Sequence, residues 1–78
     1  MGRESMSDVI QTGRYRHYKG NDYIVIGVAR HSETEEDMVV YRQDYGEHGL
    51  WVRPAEMFLE TIEVNGQARP RFEFISNE

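Results

Sequence analysis

Arg14-Tyr15-Arg16-His17-Tyr18-Lys19-Gly20-Asn21-Asp22-Tyr23-Ile24-Val25-Ile26-Gly27-Val28-Ala29 holds two strand-like runs on either side of one turn signal. Residues 14–18 alternate, so an extended backbone places Tyr15 and His17 on one side and Arg14, Arg16 and Tyr18 on the other. Residues 19–22 are turn chemistry, and the run 23–29 is rich in the β-branched residues that suit a pleated, packed surface. Together they predict a β-hairpin. Gly27 interrupts the second strand and marks a bulge or a close backbone approach.

Outward from this hairpin, residues 38–43 read as a third strand, with Val39 and Tyr41 on one side and Met38 and Val40 on the other. A turn over residues 44–49 leads to a short fourth strand, Leu50-Trp51-Val52-Arg53. Pro54 suits the first position of a helix, and residues 54–58 provide one helical or 3₁₀ turn. Residues 59–64 and 69–75 form strands around Asn65-Gly66, whose tolerance of positive φ suits a type I′ hairpin turn. Pro70 cannot donate to a ladder and belongs on an edge or at a bulge.

Short strands, tight turns and a single helical turn predict an all-β (mainly β) fold, a small SH3-like antiparallel barrel, since closure limits exposed edges. An open sheet with one helix on it is the second choice, because no segment shows the three or four turns of helical periodicity it would need. The expected organisation is a flexible leader over residues 1–12, one β-barrel domain over residues 13–75 and a tail over residues 76–78. A chain of 78 residues buries only about 60% of the surface its unfolded form exposes, so the core is small. There is no cysteine to reinforce it by disulfide or thiolate–metal bonding. The longest apolar run, residues 23–29, is far short of the roughly 18 residues of a membrane span, and no apolar signal segment opens the chain. A cytoplasmic location is the expectation. Met1-Gly2 is not a myristoylation signal, because Met6 stands where that pattern needs Ser or Thr.

The net charge of −5 opposes a nucleic-acid partner, whose phosphates are bound mainly by cations. Charge is unevenly spread: acids crowd residues 33–37, while Arg14, Arg16, His17 and Lys19 make the first strand basic, so one face could attract an anion. The mixture of Arg14, Arg16, Lys19 and Arg30 with Tyr15, Tyr18 and Tyr23 is also of the kind that stacks on single-stranded bases, though solvated strand positions account for the same residues.

Val28-Ala29-Arg30-His31-Ser32-Glu33-Thr34, Val39-Val40-Tyr41 and the run Gly46-Glu47-His48-Gly49-Leu50-Trp51-Val52-Arg53-Pro54-Ala55-Glu56-Met57-Phe58 resemble a short bacterial family of domains of unknown function, DUF1653. The resemblance begins at Gly13-Arg14-Tyr15-Arg16-His17 and extends through Pro70-Arg71-Phe72. It implies a compact SH3-like barrel in a bacterial, intracellular protein. It brings no reaction and no residue roles.

Function therefore rests on the residues. Arg30, His31, Ser32, Glu33 and Thr34 emerge from an apolar strand and combine a cation, a base, hydroxyls and a carboxylate on a firm support. Adjacent residues in an extended loop point apart, so a nucleophilic triad needs more than this adjacency, and Ser32 or Thr34 could simply cap a turn. Trp51 and Arg53 share one side of the fourth strand. They form either an exposed aromatic and guanidinium pair, extended by Tyr15, Tyr41 and Tyr45, or a core-filling Trp51 with Arg53 leaning out. His17, His31 and His48 lack the short intervals of zinc motifs, and neither a metal nor a cofactor is expected. The leading expectation is a non-catalytic binding module in which Arg30, His31, Ser32, Glu33, Thr34, Tyr41, Trp51 and Arg53 meet a small anionic ligand, peptide or protein partner. The alternatives are a small hydrolase-like enzyme using His31 as acid or base with Glu33 orienting it, and an oligomeric unit pairing through an edge such as the Pro70 strand.

Overall fold

The computed structural model describes residues 9–77; residues 1–8 of the expected leader and Glu78 of the expected tail lie outside the described residues. The order is β1 (Gly13–His17), β2 (Asp22–Arg30), β3 (Asp37–Gln43), β4 (Leu50–Pro54), α1 (Ala55–Phe58), β5 (Thr61–Val64), β6 (Gln67–Pro70) and β7 (Phe72–Ser76). A five-stranded antiparallel sheet runs β4-β3-β2-β1-β7, and β5 and β6 form a separate two-stranded ribbon. The mainly β, antiparallel class is as expected. The expected barrel is not closed: β4 and β7 end the sheet as edges among the described residues. Among these residues no helix is long and apolar enough to cross a membrane.

The β1–β2 hairpin pairs Tyr15 with Tyr23 and Gly13 with Val25. Gly13 is one glycine whose identity is compelled, because it has φ 136° and a Cβ there would stand 2.3 Å from the Ser76 carbonyl oxygen on β7. The bulge expected at Gly27 is present as a register shift between Val25 and Gly27. It turns Ile26 outward, where it is exposed. Asn65 and Gly66 both have positive φ, 53° and 79°, as the I′ turn between β5 and β6 requires.

Two of the boundaries that differ from the sequence reading have a local physical cause. Pro54 ends β4 and caps α1 rather than beginning the helix, because its extended ψ of 138° continues the strand. The single strand expected over residues 69–75 is broken at Arg71. There the main chain leaves the ribbon, the Arg71 amide donating to Glu60 and its carbonyl accepting from Tyr18, so that Phe72 can enter the main sheet beside β1.

One face of the sheet carries the core. Tyr15, Val25, Val39, Tyr41 and Phe72 meet Ala55 and Phe58 of α1, and Ile10, within the segment read as leader, joins them. Phe58 stacks on Phe72 at 4.4 Å between centroids and meets Tyr15 edge-on at 5.2 Å, so α1 acts as a plug rather than as a helix of independent stability.

Candidate functional site

The side chains that line the polar rim of this core come from five strands. Phe72 lies at the centre, with His17 at 4.9 Å, Tyr23 at 5.7 Å and Tyr41 at 5.8 Å between ring centroids. Arg53 places its guanidinium 5.5 Å from the Phe72 centroid and directs Nε to the Tyr41 hydroxyl at 3.4 Å. Tyr23 extends outward to Tyr45, their hydroxyls 3.0 Å apart. The positions follow from register: β1 brings His17 opposite Phe72, and β4 brings Arg53 opposite Val39 and Trp51 opposite Tyr41 on the core side.

The electrostatics of the rim are cationic. Burial holds the His17 imidazole below its ordinary pKa, and the charges that add to this effect are Arg53, Arg71 and Lys19, all positive. Its Nδ1 accepts the Lys19 amide at 3.2 Å, which assigns the proton of the neutral ring to Nε2. Burial first, and then the bond to Tyr45, push Tyr23 up to about 12. That same bond lowers Tyr45, so Tyr23 is the partner that keeps its proton. Arg71 is engaged by Glu60 at 2.9 Å. Among the described residues Arg53, in contrast, rests on an aromatic ring and a hydroxyl rather than on a carboxylate.

The basic residues of β1 are differently placed. Arg14 and Arg16 lie on the opposite side of the strand, where Arg14 binds Asp22 and Asp44 and Arg16 binds Asp22. The two arginines hold the Asp22 carboxyl below its usual range, Arg16 most strongly. Both cations are thus paired with carboxylates on that side of the strand.

The residues expected to form one site fall into two groups. Arg30 ends β2 opposite Asp37, its Nε 3.9 Å from a largely buried carboxylate. Beyond it, the loop of His31, Ser32, Glu33 and Thr34 is organised around itself. His31 Nδ1 accepts the amides of Glu33 and Thr34 at 3.1 and 3.3 Å, its carbonyl accepts the Glu35 amide, and Thr34 Oγ1 accepts the Glu36 amide. His31 thus performs the turn-capping task usual for Asn or Asp. With its Nδ1 lone pair directed at backbone amides, His31 does not donate from that nitrogen to the Glu33 carboxylate. Tyr41 and Arg53 form the second group and do touch each other. Trp51 is exposed at 54%, as are Leu50 and Val52 at 66% and 57%, so Trp51 does not fill the core and Leu50 and Val52 do not turn inward.

His17, Tyr23 and Phe72 were not among the expected site residues. The alternation of residues 14–18 already placed His17 beside Tyr15, but nothing local indicates that β7 returns to lie against β1. Phe72 as the floor of the cluster follows only from that pairing.

The fold and the rim define a class of molecule: a small, mainly antiparallel β domain carrying cations and phenol hydroxyls around a buried aromatic floor. The chain belongs to the family described as "Protein of unknown function (DUF1653)", whose model matches residues 13–74. It is similar to a DUF1653 protein from Bordetella bronchiseptica of known crystal structure, with 34% identity, a TM-score of 0.84, and coverage of 92% of this chain and 95% of that chain. No curated protein matches.

Proposed function

We propose that the chain is a non-catalytic, cytoplasmic binding module that recognises a small anionic ligand at the Arg53 rim, with Tyr41 and Arg53 as anchors and Trp51 beside them. The observation that carries this reading is the guanidinium of Arg53, held over Phe72 and bonded to a neutral hydroxyl, with Arg71 and Lys19 adding their positive charge around the neighbouring His17. A cation so placed keeps its hydrogen-bonding capacity for an incoming anion, and a planar group on that anion has aromatic rings to lie against. Arg30, His31, Ser32, Glu33 and Thr34 stand as a second, outlying part of the surface available to a peptide or protein partner.

Phenyl phosphate and inorganic phosphate, titrated separately into isotopically labelled protein, test the reading. Amide shifts confined to residues around His17, Tyr41, Arg53 and Phe72, larger for the aromatic probe and lost in Arg53→Gln, are expected. Uniform shifts, or shifts unchanged by the substitution, would overturn it.

A further inference from the structure

β4 ends the main sheet, and ahead of Arg53 and Pro54 its edge carries the apolar stretch Leu50-Trp51-Val52. Leu50, Trp51 and Val52 are each more than half exposed. With Val40 they line an open groove of ≈ 400 Å³. The Gln43 amide donates to the Gly49 carbonyl, and with the unshifted register that follows the hydrogen-bonded positions alternate along β4. Residues 49, 51 and 53 face β3, so the main-chain groups of Leu50 and Val52, and the carbonyl of Pro54, face outward.

We infer that β4 pairs antiparallel with β4 of a second copy of this chain, about a two-fold axis at Val52, joining two five-stranded sheets into one. The strand is complementary to itself in this register. Val52 meets Val52 in a pair that exchanges two hydrogen bonds. Pro54 has no amide, and its ring faces the other copy's Leu50 carbonyl, so it ends the ladder on each side of the axis and confines the pairing to residues 51–53. On the core side Trp51 stands opposite Arg53 of the other copy, a cation against the best aromatic acceptor, at the closely spaced type of cross-strand pair. On the other side the Leu50 and Val52 side chains of both copies cover one another. The three exposed side chains carry on the order of 400 Å² per copy, so two copies bring a substantial part of the roughly 1,200 Å² at which stable interfaces begin, before the flanking residues are added. A heterologous peptide strand would satisfy the edge amides equally, but the placement of Trp51 and Arg53 on either side of Val52 favours a second copy.

Val52→Glu tests the pairing, because it sets like charges directly opposite each other at the axis while its side chain is exposed in the monomer. Sedimentation of the full chain from micromolar to millimolar concentration should give twice the chain mass, and Val52→Glu should remain at the chain mass with an unchanged circular dichroism spectrum. Amide exchange supplies a second readout: Val52 should gain protection with concentration, while Trp51 and Arg53, already bonded to β3, should change little. A wild-type chain that stays monomeric at millimolar concentration, a dimer that survives Val52→Glu, or a wild-type dimer whose Val52 amide stays unprotected would overturn the inference.

Discussion

The guanidinium of Arg53 lies 5.5 Å from the centroid of Phe72, and the two residues come from strands at opposite edges of one five-stranded sheet. Curvature of the sheet brings its first and last strands toward a common aromatic floor without closing it. Phe72 is therefore both the centre of the core and the base of the cationic rim, so its loss should be costly. Phe72→Ala should destabilise the chain by roughly 3–5 kcal/mol, as for other buried aromatic truncations, a large part of the stability of so small a domain, read as a fall in the urea midpoint.

His17 gives the fold a pH dependence of definite sign. Its folded pKa is depressed, by burial first and by neighbouring cations second, so the unfolded chain binds its proton more readily than the folded one. The associated stability is complete above roughly pH 6.5, the ordinary histidine value, and is lost as pH falls through the folded value. Urea midpoints measured downward from neutral pH should decline across this window, and His17→Gln should flatten that decline. Asp22, also depressed, acts in the same sense but only at the lower pH where carboxylates titrate, which separates the two contributions.

The role of His31 is distinguishable by substitution. An asparagine side-chain oxygen occupies nearly the same place as the imidazole Nδ1 that accepts the Glu33 and Thr34 amides. His31→Ala should lower stability by about 1 kcal/mol, the usual worth of such a bond, and His31→Asn should restore most of it. Equal destabilisation by both variants would mean that the capping bond contributes nothing.

Two glycines should respond differently to alanine. Gly66→Ala places a side chain at φ 79° with open space around it, so the cost should be about 1–2 kcal/mol of left-handed backbone strain. Gly13→Ala should cost clearly more. It combines φ 136° with a Cβ only 2.3 Å from the Ser76 oxygen, and relief of that clash requires β7 to move away from β1. Thermal unfolding of the two variants side by side measures the difference.

Much of the local structure was legible in the chain. The β1–β2 hairpin, the bulge at Gly27, the Asn65-Gly66 turn and the short helix after Pro54 each depend on a few adjacent residues whose backbone preferences agree. The break at Arg71 was not legible, because nothing in the composition of residues 69–75 shows that the amide of Arg71 is needed by Glu60 and its carbonyl by Tyr18. The candidate site divided in the same way. Arg53 and Tyr41 were identified from residue type and meet through strand register, whereas residues 30–34 drew attention by their chemistry and turned out to use much of it in holding their own turn.

By itself the sequence determined the alternation of faces and the positions of the turns, because these arise from steric limits within a few residues. Tertiary structure alone decided that β7 lies against β1, that the sheet remains open, and that Arg53, His17, Tyr41 and Phe72 share one surface. Those outcomes depend on long-range packing, in which Phe58 and Phe72 stack across the core and draw together residues that have no local reason to meet.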